Sequence, residues 1–541
     1  MVWYDEAVFY HIYPLGMTGA PKQNIYGEPE HRLNTLIPFI SQIKKLNCNA
    51  LYIGPLFESV GHGYETTDYK KLDSRLGTNE DLTEFVKECH KQGIRVILDG
   101  VFNHTGRDFF AFKDIRENRE SSRYKDWYCN VNFYGNNEYN DGFTYDNWGG
   151  YNLLAKLNQH NNEVREYICD VIRFWVNEFD IDGIRLDAAD VLDFSYMQML
   201  RKVTNEVKPD FWLMGEVIHG DYIRWVNGDT LHSVTNYHLH KALYSGHNDH
   251  NYFEIAHTVK RLYEMGGNRP DGLKLYNFAD NHDVERIYTK LNNKSHFIPV
   301  HILMYTLPGI PSVYYGSEFG IEGQKQRGSD DSLRPAISYE EYIKAVEKND
   351  LTNLISGLGK IRLDTKALSY GTYKELFLTT GQYAFERNYN GESVIVTVNN
   401  SDNDFMMQIP TQNTGEYVGG LFGEKVSVKD GCISVNVKAN SGEIWLPVCS
   451  TDKQIEPIKV EIIENKMEVS ACESVVETQV YIEKEQSVVT NKEYEEMTVE
   501  ELQRAILKRM ESNGPVTEQM KKDVYENIYH NSLVNWIKSF N

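Results

Sequence analysis

Short runs of apolar and β-branched residues alternate with longer amphipathic stretches through roughly the first 350 residues of this 541-residue chain. In the stretches 79–93 and 161–179, apolar residues recur at steps of three and four, which predicts helices. The runs that we predict to be strands are 7–13, 50–54, 94–100, 182–188, 211–216, 231–237, 273–279 and 310–316. Eight strands that alternate with helices favour an α/β fold, a parallel (β/α)8 TIM barrel, over an open sheet.

One connection in this pattern is much longer than an ordinary barrel loop. Residues 104–160 contain no clean barrel element and are rich in Tyr, Trp, Asn and Gly. Loops longer than about 12–15 residues are usually functional or form a small fold of their own. We therefore predict an inserted subdomain over 104–160, after the third strand of a barrel domain that spans residues 1–363.

The pattern changes again after the barrel. Runs of period two, separated by Gly and Asn turns, predict a small antiparallel β-sandwich over residues 364–448. Residues 449–495 are acidic and β-branched, and form either a linker or a few weak strands. Residues 496–541 have the pattern of a helical tail, interrupted at Gly514 and Pro515. Amphipathic helices more often pack on their own domain than support an oligomer, and the sequence leaves the oligomeric state open.

The composition excludes several classes of protein. A formal charge of −22 argues against a nucleic-acid surface, which needs clustered Lys and Arg. The seven cysteines are far apart and form no CxxC motif, which favours free thiols in a reducing compartment. The N-terminus lacks the basic start and apolar run of a secretory signal, and no long apolar run predicts a membrane span. We therefore expect a cytoplasmic protein with no nucleic-acid or membrane partner.

Polar residues cluster at the carboxyl ends of four predicted strands, the edge at which a TIM barrel carries its active site. These residues are Asp99, Asn103 and His104 at the third strand, Arg185 and Asp187 at the fourth, Glu216 at the fifth, and His282 and Asp283 at the seventh. Each alone has an ordinary explanation, since an acid after a strand is more often a helix N-cap and His104 could be a hydrogen-bonded core residue. Their joint occurrence around one cleft indicates a catalytic site.

Arg185 is the hardest of these residues to explain as ordinary structure. A guanidinium that points inward from an apolar strand needs a carboxylate partner. Arg185 and Asp187 are two positions apart, so they face the same side of the sheet, where the positive charge favours an ionised Asp187.

Four segments, in this order along the chain, resemble the signature segments of the α-amylase family of glycoside hydrolases. They read DGVFNH (99–104), GIRLDAAD (183–190), GEV (215–217) and FADNHD (278–283). GHGYETTDYKKLDSRLGTNEDL (61–82) resembles that family's segment after the second strand. LLAKLNQHN (153–161) is similar to the fifth segment of the cyclomaltodextrinase and neopullulanase branch, although Ala155 replaces the usual proline. The resemblance covers residues 1 to about 448.

The resemblance implies a role for each matching position. The implied catalytic residues are Asp187 as nucleophile, Glu216 as general acid/base and Asp283 as the carboxylate that grips sugar hydroxyls. The implied substrate-binding residues are Tyr64, whose ring stacks under the reacting glucose, and the supporting residues His104, Arg185 and His282. Asp68, in the same motif as Tyr64, is expected to be structural.

The implied chemistry requires two carboxyls in different protonation states. A glycosidic bond breaks through an oxocarbenium-like state, so one carboxylate attacks C1 while a protonated carboxyl assists the leaving oxygen. Asp187 beside Arg185 meets the first need. Like charges on Asp187 and Asp283 are expected to raise the pKa of Glu216 and so meet the second. In a retaining enzyme the nucleophile and acid carboxyls lie about 5–5.5 Å apart.

The reaction itself requires no cofactor, but many members of the family carry a structural calcium ion. Asn103 is the candidate ligand here, with Asp141 and Asp146 of the insert as potential partners. An Asp/Asn-rich loop is usually only solvated, and residues 14–24 depart from the loop with which some relatives build a calcium site. Structural calcium is therefore an open expectation.

Three functions are open at this point. The first is retaining hydrolysis of α-1,4-glucosidic bonds in maltodextrins, cyclodextrins or related α-glucans, through a covalent glucosyl-enzyme intermediate. The second is transfer of that intermediate to another sugar, by a glucanotransferase or glucosyl isomerase. The third is a non-catalytic glucan-binding relative, which would be marked by loss of a catalytic acid. All three acids are present, so the prediction is a glycoside hydrolase whose substrate is an α-glucan oligosaccharide.

Overall fold

A closed barrel of eight parallel strands forms the centre of the molecule. The computed structural model describes residues 2–267, 269, 271–448 and 499–513. The barrel strands are β1 (Phe9–Ile12), β2 (Ala50–Ile53), β3 (Arg95–Gly100), β4 (Gly183–Leu186), β5 (Trp212–Gly215), β6 (Ser233–Val234), β7 (Tyr276–Phe278) and β8 (Ile310–Tyr314). They pair in the order β6–β5–β4–β3–β2–β1–β8–β7, and a parallel bridge between Thr235 and Tyr276 joins the two edges. The predicted TIM barrel is confirmed.

Helices fill most of the connections between the barrel strands. The α-helices of the described residues are Pro14–Met17, Ile37–Lys45, Asn79–Lys91, Phe110–Asn118, Asn162–Phe179, Phe194–Val207, Tyr237–Asn248, Tyr252–Met265, Ile287–Lys290, Phe297–Thr306, Tyr339–Val346, Asp350–Asp364, Lys366–Tyr370 and Val499–Asn513. Short 3-10 segments are Trp3–Glu6, Arg32–Leu36, Arg119–Ser121, Lys125–Trp127, Ala189–Val191, Tyr222–Arg224, Lys294–His296, Ser317–Phe319 and Asp331–Leu333. Asn79–Lys91 begins at a capping box formed by Thr78 and Asp81, and the Asn161 side chain caps Asn162–Phe179.

The long connection after β3 forms the predicted inserted subdomain. A three-stranded antiparallel sheet ties it to the barrel, in the order His104–Thr105, Tyr151–Lys156, Asn147–Trp148. Arg107 anchors the outer loop, because its guanidinium donates to the two carboxylate oxygens of Asp141 at 2.7 and 2.8 Å.

The segment after the barrel is an antiparallel β-sandwich, as predicted. Its strands are β9 (Thr372–Leu378), β10 (Gln382–Tyr389), β11 (Glu392–Asn399), β12 (Phe405–Pro410), β13 (Glu416–Gly419), β14 (Lys425–Ser427), β15 (Cys432–Val437) and β16 (Ser441–Pro447). One sheet has the order β9–β10–β11–β16–β13–β14, and β12 pairs with β15 in the other. Their shared core includes Ile395, Ile433 and Trp445. The domain boundaries at residues 363 and 448 stay predictions.

A buried arginine of the sandwich bonds to the barrel. Arg387 of β10 donates to the carbonyl oxygen of Thr306 at 2.6 Å, and within the barrel Arg362 donates to that of Gly309 at 2.6 Å. These carbonyls lie at or just beyond the C-terminal end of the helix Phe297–Thr306, where a positive charge is favourable. The sandwich therefore packs directly on a barrel helix.

The helix Val499–Asn513 is the described part of the predicted tail, and it belongs to a second compact unit. The predicted linker or weak strands of 449–495 and the remainder of the predicted tail lie outside the described residues. None of the helices within the described ranges has the length and apolar character that a membrane crossing requires.

Candidate active site

Arg185 lies at the centre of the site and contacts three carboxyl groups. It lies on β4, and its Nη1 is 2.8 Å from Asp99 Oδ1 and 3.0 Å from Asp187 Oδ1. Its Nη2 is 2.8 Å from Glu216 Oε2. The Arg185 side chain is only 3% exposed, so these charge-assisted bonds form away from water. The sequence analysis required one carboxylate partner for Arg185, and the structure shows three.

Glu216 directly follows β5, and its two oxygens have different surroundings. Besides Arg185, Oε2 accepts from the Ala188 amide at 3.1 Å. The Tyr237 hydroxyl is 3.5 Å from Oε1. Ala188 has a φ of 45°, in the left-handed region, and its N–H points at Glu216 from the position directly after Asp187.

Asp187 and Glu216 are a coupled pair of buried carboxyls. Burial raises the pKa of both, the Arg185 guanidinium opposes this rise on both, and the Asp283 charge adds to it. Groups this tightly coupled titrate as a pair, so the pair keeps one proton where isolated carboxyls would have lost both. The pKa of Glu216 is raised as expected, but burial rather than like charge is the largest cause. The expectation that Arg185 favours an ionised Asp187 does not hold for the free enzyme, because burial outweighs the guanidinium and raises the pKa of Asp187 well above its usual range.

Asp283, unlike Asp187 and Glu216, has a lowered pKa. Burial opposes its ionisation, but His282 Nε2 at 3.1 Å and Arg334 Nη2 at 2.7 Å hold the pKa of Asp283 well below its usual range. Arg334 Nε also donates to the carbonyl oxygen of His282 at 2.9 Å. One arginine from the loop after β8 therefore positions both residues that follow β7.

Tyr64 lies against His282, on a hairpin loop between Phe57–Ser59 and Thr66–Leu72. Its ring stacks on that of His282 with centroids 5.8 Å apart, and its hydroxyl is 2.5 Å from His282 Nε2. The same hydroxyl donates to Asp99 Oδ2 at 3.2 Å. Tyr64 therefore joins the β3 end of the site to the β7 end.

His104 stands at the start of the insert and is fully buried. Burial lowers the pKa of His104 to about 3, so the ring is neutral at ordinary pH. Its Nδ1 is 3.2 Å from Asn103 Nδ2, while its Nε2 has no partner among the described residues. A buried nitrogen without a partner costs free energy unless a ligand or water completes it, so Nε2 is a candidate sugar contact.

Two of the residues considered for calcium, Asn103 and Asp141, have protein partners. Asn103 Oδ1 accepts from Gln159 Nε2 at 3.1 Å, and the Asp141 carboxylate is engaged by Arg107 rather than turned toward Asn103. Within the described ranges, no group of three or more His, Cys, Asp or Glu side chains could hold a metal ion. The expectation of a calcium ion at Asn103 is therefore not confirmed.

Three further residues complete the site although the sequence pattern assigned them no role. Asp99 was already named in the polar cluster at the strand ends, and its role as a partner of Arg185 was open to inference because an inward-facing arginine needs an acid. Tyr237 and Arg334 lie beyond β6 and β8, in segments with no matching motif. No sequence signal identifies these two.

Comparison with known proteins decides the family. Residues 32–360 match the model described as alpha amylase, catalytic domain, and residues 371–445 match the alpha-amylase C-terminal domain. The chain belongs to the α-amylase family. The two matched ranges correspond to most of the barrel and to the sandwich.

The similar proteins include two enzymes from bacteria and one solved structure. A cyclomaltodextrinase from Thermoanaerobacter pseudethanolicus is 32% identical over 426 residues, covering 74% of this chain and 71% of the relative. Neopullulanase 2 from Thermoactinomyces vulgaris is 30% identical over 468 residues, covering 82% of this chain and 78% of the relative. A solved cyclomaltodextrinase structure has a TM-score of 0.73 at 26% identity, and covers 82% of this chain and 78% of its own. This α-amylase family member is a glycoside hydrolase that acts on α-glucans.

Proposed function

We propose that this enzyme hydrolyses α-1,4-glucosidic bonds in maltodextrins, cyclodextrins or related α-glucans and retains the anomeric configuration. Asp187 is the nucleophile, Glu216 the general acid/base, and Asp283 the carboxylate that binds hydroxyls of the distorted sugar. The observation that carries the proposal is the buried Arg185 guanidinium, which contacts Asp187 at 3.0 Å and Glu216 at 2.8 Å. One rigid cation between two carboxyls supports the separation of about 5–5.5 Å that retention requires.

In the first step, the Asp187 carboxylate attacks C1 of the bound glucosyl unit as the bond to the glycosidic oxygen breaks. Glu216 gives its proton to that oxygen, so the leaving sugar departs as a neutral alcohol. Asp187 is then esterified to C1 and Glu216 is a carboxylate. Arg185 offsets the negative charge that Glu216 has gained.

In the second step, Glu216 takes a proton from a water molecule whose oxygen attacks C1. The ester bond breaks and its electron pair returns to Asp187, which becomes a carboxylate again. Two displacements at C1, each with inversion, leave the product in the α configuration. Glu216 is protonated once more, and the site is ready for another glucosyl unit.

The surroundings of the two carboxyls support this path of the proton. Glu216 Oε2 already accepts from Arg185 and from the Ala188 amide, so Oε1 is the oxygen left to carry the proton. Because burial raises the pKa of Asp187 as well, the two residues compete for one proton. The positive charge that develops at C1 in the transition state stabilises the ionised form of Asp187, so reaction proceeds through the form in which the proton is on Glu216.

Asp283, Tyr64 and His104 are proposed to hold the reacting sugar. Asp283 is kept ionised by His282 and Arg334, so its oxygens accept bonds from sugar hydroxyls. Burial holds the pKa of Tyr64 well above its usual range, so the residue presents a neutral flat ring to the sugar face. The free Nε2 of His104 adds a contact from the insert side.

The substrate class and the compartment are proposed from the relatives together with the thiols. The relatives described above carry the names cyclomaltodextrinase and neopullulanase, and another, from Bacillus subtilis, is named intracellular maltogenic amylase. The five cysteines within the described ranges are free. These observations support a cytoplasmic enzyme for short or cyclic glucans.

The test is product analysis of wild-type enzyme and Asp187→Asn on maltoheptaose and β-cyclodextrin. NMR should detect the α anomer first in fresh wild-type product, and Asp187→Asn should lose at least about 10³-fold of kcat. Asp190→Asn, three positions further along, is the control and should retain activity. Initial β anomer, or undiminished hydrolysis by Asp187→Asn, would refute the mechanism. Longer oligosaccharides formed from maltotriose would instead favour transfer over hydrolysis.

A further inference from the structure

The tip of the insert carries two exposed aromatic residues that the reaction described above leaves unused. Trp148 is 38% exposed and Tyr151 is 63% exposed. Large rings bury most of their surface in folded proteins, and neighbouring exposed ones often mark a binding surface. A pair of such rings at one hairpin tip therefore calls for an explanation.

A two-residue turn holds the pair in place. Trp148 and Tyr151 are direct partners across an antiparallel hairpin, so their side chains lie on the same face. Between them, Gly149 and Gly150 have φ values of 63° and 84°, as in the type I′ turns that match strand twist. A Cβ on Gly149 would lie 3.3 Å from the Tyr151 ring, so a larger residue at this position would crowd the ring. The rings are thus set by backbone geometry.

The insert sheet places the Trp148 side of this tip beside His104, the proposed substrate-binding residue of the insert. The strand Tyr151–Lys156 pairs with His104–Thr105. The Trp148 ring lies 6.0 Å from the His104 ring, centroid to centroid, with an angle of 35° between the planes. Trp148 therefore lies next to His104, whose buried Nε2 has no hydrogen-bond partner among the described residues.

We propose that Trp148 and Tyr151 form an aromatic platform on which a glucosyl unit adjacent to the reacting one stacks. The inference rests on the proposed function, because the platform extends the same cleft. A pyranose presents C–H groups on its faces and hydroxyls at its rim, so a flat ring covers the apolar face while the hydroxyls stay in water. The platform favours glucans long enough to reach it over short ones.

A lone exposed ring elsewhere on the insert provides a matched comparison. Tyr134 is fully exposed, and only its main-chain amide has a described bond, to Asn132 Oδ1. Single exposed apolar residues are normal on protein surfaces and need no function. Tyr134→Ala therefore controls for loss of an aromatic ring from the insert.

The experiment measures binding of maltoheptaose by calorimetry in the Asp187→Asn background, where the glucan is not consumed. Trp148→Ala should raise Kd by about five- to tenfold, the effect of one aromatic contact, and Tyr151→Ala should raise it less. Trp148→Phe should recover most of the affinity, and Tyr134→Ala should leave Kd unchanged. In enzyme with Asp187 intact, Trp148→Ala should lower kcat/KM more for maltoheptaose than for maltotriose.

The outcomes separate the platform from the catalytic assignment. Hydrolysis by the Asp187→Asn background would overturn the catalytic role of Asp187. The platform would then be tested by the kcat/KM values of Trp148→Ala for maltoheptaose and maltotriose in enzyme with Asp187 intact. If the Asp187→Asn protein is inactive and adding Trp148→Ala leaves its Kd for maltoheptaose unchanged, the platform is overturned. Thermal unfolding must show that both proteins are folded. Unchanged Kd together with an altered oligomeric state would assign the rings to contact between copies and equally overturn it.

Discussion

The Nη2 atom of Arg185 lies 2.8 Å from Oε2 of Glu216, and Nη1 of the same guanidinium reaches Asp187 at 3.0 Å. Because the guanidinium is a planar, rigid fork, this side chain limits how far apart the two carboxyls can lie. Asp99 binds the fork from β3 and fixes its orientation. The geometry that retention needs is therefore set by residues at the ends of three neighbouring strands.

Replacing this fork by a point charge should disturb both rate and pH dependence. We expect Arg185→Lys to lower kcat/KM on maltoheptaose by at least about 10²-fold, since one ammonium cannot hold three carboxyl partners in fixed directions. Arg185 opposes the burial that raises the pKa of Asp187, and the ammonium of a shorter lysine side chain should oppose it less, so that pKa should rise further. The acidic limb of the kcat/KM profile should then move to higher pH.

Arg95→Lys is the matched control for this substitution. Arg95 is the first residue of β3, at the end of the barrel away from the active site, and it pairs with Asp182 at 2.8 Å. This variant should retain the wild-type rate and pH profile. A wild-type pH profile in folded Arg185→Lys enzyme would contradict the electrostatic role given to Arg185.

Glu216→Gln should slow different substrates by different amounts. Hydrolysis of maltoheptaose should fall by about 10²–10⁴-fold, the usual contribution of general acid catalysis. Formation of the covalent intermediate from α-maltosyl fluoride should fall much less, because fluoride leaves without a proton. Added azide, which attacks C1 without having to lose a proton, should speed turnover of the fluoride. The product should be a glycosyl azide, which chromatography detects. An equal loss on both substrates, with no effect of azide, would rule out Glu216 as the acid/base.

The barrel strands and the spacing of their polar ends were predictable from the sequence. Strands such as β4 are buried along their whole length, and buried parallel strands read as apolar runs. The period of two in a strand is enough to put Arg185 and Asp187 on one face. The order of the strands around the barrel then brings Glu216 beside them, because β5 pairs with β4.

Contacts made by loops could not be predicted in the same way. Arg334 reaches Asp283 across 51 positions from a loop whose path no periodic pattern specifies. Asp141 was considered for a calcium site with Asn103, but it pairs with Arg107, and the sequence alone does not distinguish these partners.

Removal of Arg334 should shift the pH dependence of activity in a stated direction. Arg334 and His282 together hold the pKa of Asp283 well below its usual range, so Arg334→Gln should raise it. Asp283 would then be partly protonated at acidic pH, and the acidic limb of the kcat/KM profile should move to higher pH. Misplacement of the Asp283 carboxylate should also lower kcat/KM by up to about 10²-fold near the optimum pH.

A nearby basic residue distinguishes this effect from a general loss of positive charge. Lys22 pairs with Asp331 at the same rim of the barrel, and its side chain is 77% exposed. Lys22→Gln should leave the acidic limb where it is. If both variants moved that limb equally, Arg334 would not be a positioning residue for Asp283.

Glu443, on β16, should make the stability of the sandwich depend on pH. Its Oε1 accepts from the amides of Leu421 and Ile444 at 2.9 and 2.7 Å, and its Oε2 from that of Phe422 at 2.9 Å. Burial nevertheless raises the pKa of Glu443 to about 7, against these three donors. The unfolded chain loses the same proton near its ordinary value of 4.5.

Between these two pH values the folded sandwich keeps a proton that the unfolded chain has released, so the free energy of unfolding falls as pH rises from about 4.5 to 7. The difference corresponds to roughly 3 kcal/mol for this one group. Glu443→Gln cannot ionise and should remove that part of the slope, although it is less stable at pH 5 because its amide offers only one acceptor oxygen. Urea unfolding of the sandwich at pH 5 and pH 8 measures the change, and Glu416→Gln, at an exposed position on β13, should unfold like the wild type at both. A slope in Glu443→Gln as steep as in the wild type would show that Glu443 is already ionised in the folded protein, with the three amide donors outweighing burial.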